Sequence, residues 1–139
     1  MDGRDGLGIP ARGLRRYVML VGAALDSPAW YCEVEVPASA YLAVEGRIPR
    51  YPDQEIALVW DERDGWAALL ESAGGDEVVL AYLGEDVLPP PERVAEFAQE
   101  LFADGYPGRP DAPDLRGPGD PDGFDDRIAG YAESDVCLP

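Results

Sequence analysis

Histidine, lysine, threonine and asparagine are all absent from these 139 residues. Without histidine the chain lacks the usual general base near neutral pH and the commonest metal ligand. Without lysine it can form neither a Schiff base nor a phosphate-binding Gly-x-x-x-x-Gly-Lys loop. Cysteine is scarce: Cys32 and Cys137 are the only two. Cys32 alternates with apolar neighbours, as a small buried hydrophobe does. Cys137 falls in a tail, and two cysteines in a chain without a leader stay reduced more often than they pair. No apolar run approaches the ~20 residues that span a bilayer. The opening Met1-Asp-Gly-Arg-Asp has no basic region followed by an apolar stretch. The sequence therefore predicts no signal peptide and a cytoplasmic protein.

What the chain has in excess is acid. Twenty-eight aspartates and glutamates face 11 basic residues, all arginine, for a net charge of −17. A field of that sign repels nucleic acid and anionic lipid and favours encounter with a basic protein. The missing lysine, threonine and asparagine also fit the codon bias of a GC-rich genome. Apolar residues make up 46% of the chain, enough for a core, and the length suits one small domain.

The periodicity of the chain sets its organisation. Residues 1–9 are glycine-rich and charged, and read as a flexible lead. Leu14, Tyr17, Val18, Val21, Ala24 and Leu25 then recur at helical spacing, and Asp26-Ser-Pro28 ends that helix. The period changes to two at Trp30, where Trp30, Cys32, Val34 and Val36 share one face of a strand. Tyr31, Glu33 and Glu35 share the other. Ala40, Leu42 and Val44 mark a second strand. Ile56–Trp60 and Trp66–Leu70 flank the polar connection Asp61–Gly65, a hairpin signal, and Val78–Leu83 is a fifth strand. Pro89-Pro-Pro91 leads into a second helix, striped by Val94, Phe97, Ala98, Leu101 and Phe102 and closed near Asp104-Gly105.

This order predicts an α+β domain over residues 10–105. It is a two-layer sandwich, with a five-stranded, mainly antiparallel sheet packed by an N-terminal and a C-terminal helix. From residue 106 to 139 the chain is acidic and rich in proline and glycine, and reads as a disordered tail. Phe124, Ile128 and Tyr131 fall at i, i+4, i+7 there, the spacing of a short helix over 124–132.

Several segments resemble a family of small actinobacterial domains of unknown function. They are Gly13–Tyr17, Trp30–Val34, Ala40–Ala43, Leu58–Trp66 and Val79–Pro91. The likeness spans about residues 12–104. Its most specific runs are Trp60-Asp-Glu-Arg-Asp-Gly-Trp66 and Leu88-Pro-Pro-Pro91. The resemblance implies the domain limits and a bacterial cytoplasm, and carries no activity or site residues.

The candidate sites each have a bland counterpart. Trp60, Asp61, Glu62, Asp64 and Trp66 form either a partner-binding hairpin tip or a solvated turn between two core tryptophans. Phe124, Ile128 and Tyr131 either fold onto a partner's groove or pack back on their own domain. The cluster Arg12, Arg15 and Arg16 either holds an anion or pairs with nearby acids. Glu33 and Glu35 share a strand face, but acid–base work by two carboxylates needs a concave site that this strand does not supply. Asp120-Pro-Asp-Gly-Phe-Asp-Asp126 echoes a calcium loop with its glycine misplaced and no closing glutamate. No serine stands in a Gly-x-Ser-x-Gly elbow.

The sequence thus predicts a non-enzymatic acidic interaction or regulatory module. It predicts no catalytic residues, metal or cofactor, and no nucleic-acid or membrane partner. The expected partner is another protein of basic character. A homodimer is the other option, since Ala43, Ala57, Val59, Ala67 and Leu69 leave one sheet face partly apolar. The alternative from another class is a small-molecule sensor, its ligand held between sheet and helices by Tyr17, Trp30, Tyr82, Arg12, Arg15 and Arg16.

Overall fold

Fifteen residues, Ala11–Leu25, make the first helix, α1, in a computed structural model that describes residues 11–33, 38–117 and 123–134. The glycine-rich lead, Val34, Glu35, Val36 and Cys137 lie outside the described residues. The apolar stripe of α1 is buried at Leu14, Tyr17, Val18 and Val21, joined by Gly13 and Gly22, while Ala24 is exposed and Leu25 half-buried. Asp26 ends the helix in the left-handed region (φ 53°), and the Ser27 amide returns to the Gly22 carbonyl at 2.9 Å. Aspartate is one of the few residues that tolerate that conformation.

Five strands follow: β1 Trp30–Glu33, β2 Ser39–Val44, β3 Glu55–Asp61, β4 Gly65–Glu71 and β5 Glu77–Tyr82. They pair antiparallel in chain order, β1-β2-β3-β4-β5, the simplest meander. Register is set by burial. Leu42 faces Leu58, Leu58 faces Ala68 and Trp60 faces Trp66, all on one side of the sheet. A one-residue slip would turn every one of these side chains to the opposite face. A bulge between Ala68 and Leu69 leaves Leu80 without a partner and reverses the alternation within β5.

Helix α2, Pro91–Phe102, begins with proline at its first position and Glu92 in its first turn. Its stripe, Val94, Phe97, Ala98 and Leu101, joins the same core as α1 and the sheet. The left-handed residue at its end is Asp104 (φ 68°), one position before the glycine that the sequence nominates. The α+β sandwich expected from the periodicity is the observed architecture, with one addition.

That addition is the C-terminal chain. The sequence reads 106–139 as a disordered tail, whereas residues 106–117 run along the domain and make hydrogen bonds with it. Tyr82 and Arg109 exchange backbone hydrogen bonds at 2.7 and 2.8 Å, and the Leu115 amide donates to the Arg63 carbonyl at 2.7 Å. Helix α3, Phe124–Ser134, then lies against α1. Phe124 and Ile128 are 2% and 0% exposed. The approach is so close that a Cβ at Gly13 would collide with the Ile128 backbone carbonyl. Glycine there is a packing requirement, and it fixes where α3 docks.

Candidate functional site

The hairpin between β3 and β4 has its two tryptophans inside, 1% and 0% exposed. Trp60 Nε1 donates to the Val87 carbonyl at 2.7 Å, and Trp66 Nε1 donates to the Tyr17 hydroxyl at 3.0 Å. Tyr17 in turn donates to the Pro89 carbonyl at 2.6 Å. The two runs that stand out in the sequence, Trp60–Trp66 and Leu88–Pro91, are therefore tied together by the buried chain Trp66–Tyr17–Pro89, with Trp60 held beside it on Val87. Burial pushes the Tyr17 phenol far above its ordinary range, so it stays a neutral donor.

Glu62, an expected member of an exposed tip, is 1% exposed. One of its oxygens accepts the Ala38 amide at 2.6 Å, and the other accepts Arg116 Nη1 at 2.9 Å. Arg116 stacks over Phe124, 4.1 Å from the ring centroid, and Phe124 stacks on Trp60. Asp61 caps the turn through the amides of Arg63 and Asp64, and Asp64 accepts the Asp114 amide. The hairpin tip is thus a structural joint: Trp60, Glu62 and Trp66 are inaccessible. Phe124 and Ile128 are likewise used up in the core, and Tyr131 packs its ring 4.8 Å from Tyr17.

The residues of the alternative ligand site are not brought together. Tyr17 lies in the core, Trp30 beside Gly22 on the helical side, and Tyr82 on the opposite side of the sheet. Arg12 and Arg15 are exposed, Arg16 is half-buried, and Arg15 reaches Cys32. Cys32 is a free, half-buried thiol whose pKa is raised by burial, partly offset by Arg15. Glu33 is exposed, Glu35 lies outside the described residues, and so do the first three residues of the calcium-like loop. Among the described residues no group of three or more carboxylates or cysteines is placed to hold a metal, and no helix is long and apolar enough to cross a membrane.

What the fold leaves open is the other face of the sheet. A groove of about 410 Å³ runs across it, floored by Val59, Ala67 and Leu69 and flanked by Tyr31, Tyr41, Val79 and Tyr82. All three helices pack on the opposite side. Tyr31 is 58% exposed and Val79 39%. Tyr31 stacks on Tyr41, with ring centroids 5.4 Å apart and planes 12° from parallel. Asp61, Asp64 and Glu77 also line the groove. The Tyr41 hydroxyl donates to Glu71 at 2.9 and 3.1 Å. Burial, that hydrogen bond and the Glu71 charge push its pKa up to about 12. The Tyr82 phenol is also raised, by burial and by the charges of Asp64, Asp61 and Asp111. The groove is apolar and aromatic at its floor and negative at its edge. Its floor was legible as the apolar odd positions of β3 and β4; Tyr31, Tyr41 and Val79 needed the pairing register.

Fold and groove together define a small α+β domain: a five-stranded meander with one face closed by helices and one open. Residues 17–100 match the family of unknown function DUF6292, and the chain belongs to that family. The match ends within α2, so the 106–117 segment and α3 lie beyond it. No curated protein and no solved structure matches the chain.

Proposed function

We propose that this chain is a non-enzymatic, acidic interaction module of a bacterial cytoplasm, and that the open sheet face receives a basic partner protein. The observation that carries the reading is the groove itself. Aromatic and aliphatic side chains stay exposed there, while the central strands bury Leu42, Leu58, Trp60 and Trp66 on their other face. Tyrosine beside a fixed apolar floor suits a protein contact, since it offers large rigid area at low entropic cost. The partner's sign follows from charge. Asp61, Asp64, Glu71 and Glu77 edge the face of a chain with net charge −17. A second copy would bring these acids against one another, so a basic partner is favoured over a homodimer.

Photo-crosslinking in the source cell tests this. A photoreactive residue at Tyr31 or Val79 is expected to capture one and the same lysine- and arginine-rich protein. Capture should fall with added salt and with Glu77→Arg, because rim charges act mainly on encounter. A probe at Met19, exposed on α1, supplies the background. Crosslinks from the sheet face no stronger than those from Met19 would sink the proposal.

A further inference from the structure

On the helical side of β5 the molecule holds a second cavity of opposite character. It measures about 240 Å³ and lies between β5, the end of α2 and the segment Tyr106–Pro110. Leu80, Ala81 and Leu101 give it an apolar lining, and Arg50 and Arg109 supply positive charge. We propose that it binds a small organic monocarboxylate with a compact apolar body.

The two arginines are held differently. Arg50 lies over two tyrosines, 4.0 Å from the Tyr106 centroid and 5.7 Å from that of Tyr51. Its contacts to protein acceptors are long. Nη2 reaches the Gly105 carbonyl at 3.3 Å and Nη1 the Asp104 carbonyl at 3.4 Å. Its Nε is buried without a hydrogen-bond partner, with Asp104 Oδ1 3.4 Å away as an ion-pair contact only. Arg109 has no carboxylate within ion-pair distance among the described residues, in a chain with 28 acids. Yet it is carefully seated. Its backbone is locked to Tyr82 by two hydrogen bonds, and its side-chain stem crosses Gly84 so closely that a Cβ there would meet Cδ at 2.7 Å. Gly84 sits at φ +83°, a conformation that side chains other than glycine rarely adopt.

The ligand class follows from these parts. A guanidinium fork matches a carboxylate bidentately. The largely apolar lining disfavours inorganic phosphate, whose oxygens would lose water on every side. The volume lies below the roughly 300–1,000 Å³ of drug-sized sites, so the body of the acid is small. The exposed ring of Tyr106 offers it a stacking surface. The site is independent of the sheet groove and stands on different residues.

The test uses the full chain and isovalerate, benzoate and phenylacetate, each beside its neutral amide and beside inorganic phosphate. Binding is read from the methyl resonances of Leu80 and Leu101. At least one acid is expected to bind with a Kd of about 1 mM or tighter, and its amide about tenfold or more weaker. Arg109→Gln, an exposed change, should weaken the acid about tenfold with the remaining spectrum intact. Arg47→Gln, at an exposed arginine outside the cavity, should leave it unchanged. Three results would overturn the assignment: no acid binds, amide or phosphate binds as well as the acid, or binding survives Arg109→Gln and Arg50→Gln alike. Binding of acetyl-Ala-Phe but of no free acid would also overturn it, since the cavity would then read a peptide C-terminus.

Discussion

On the covered face of the sheet Leu58, Trp60 and Trp66 are 0–1% exposed, while along the opposite face of the same meander Tyr31 and Val79 keep 58% and 39% of their surface. The strands are shared, and alternation alone sends successive residues to the two faces. Three helices close the first face, and the central polar groups there find protein partners. Trp60 and Tyr17 donate to the carbonyls of Val87 and Pro89, Trp66 donates to the Tyr17 hydroxyl, and Glu62 accepts from Arg116. The open face keeps polar groups for solvent or a partner. The difference teaches that conspicuous sequence and open surface are separate things in this chain. The most distinctive runs, two tryptophans around a charged turn and a triple proline, belong to packing. The surface proposed to bind a partner is built from alanines, valines and leucines that show in the sequence only as an apolar strand face, and from tyrosines that join it through register.

The sharpest way to break the comparison is Glu62→Ala. It takes the carboxylate away from buried Arg116 and leaves the Ala38 amide without its acceptor. A loss of about 3–5 kcal/mol in unfolding free energy is expected, read from the denaturant midpoint. A loss below about 1 kcal/mol would show that the ion pair is solvated in solution and that the hairpin tip is a surface feature after all.

A smaller effect is expected at the edge of the covered face. Asp86 accepts Arg127 of α3 at 3.0 Å. Burial raises its pKa, but the Arg127 hydrogen bond and the backbone amides of Leu88 and Val87 prevail and hold it below the ordinary 3.8. A depressed folded-state pKa contributes stability above the unfolded value, and that contribution disappears as pH falls through the folded one. Both partners are partly exposed, so solvent screening limits the pair to about 0.5 kcal/mol. Asp86→Asn should thus cost about that much at neutral pH and nothing in acid below the folded pKa. A deficit that persisted in acid would assign the effect to packing.

The smallest effect is expected on the open face. Val79→Ser should change stability by less than about 0.5 kcal/mol, as exposed substitutions do, while abolishing crosslinking through the groove. A large stability loss would mean that the face is closed in solution, and the contrast between the two faces would vanish.

The periodicity made helices α1 and α2 and strands β2 to β5 legible to within a residue or two, because an apolar pattern marks each; the first strand was expected to run to Val36, and residues 34–36 lie outside the described ones. The C-terminal chain was harder for a physical reason. Residues 106–117 attach through backbone hydrogen bonds at single positions, Arg109 to Tyr82 and Leu115 to Arg63, which impose no repeat on side chains. Their prolines and glycines therefore look like those of a linker. The spacing of Phe124, Ile128 and Tyr131 announced an apolar helical face but could not say whose core it enters. Glu62 was misjudged for a related reason: its neutralising partner, Arg116, lies far along the chain. The open face was half legible, since its alanines and valines showed an apolar side while the tyrosines joined it only through register.

The docking of Ile128 on Gly13 has a consequence for how the molecule is assembled in time. The meander pairs each strand with its sequence neighbour, so its loops close cheaply and its contacts can form early. The contact of α3 with α1 joins opposite ends of the described chain, the costliest loop to close. Contact order thus predicts that α3 docks late, in the step that shields Trp60 and Tyr17. A chain halted just before it carries a formed sheet, an intact open groove and an unsealed core.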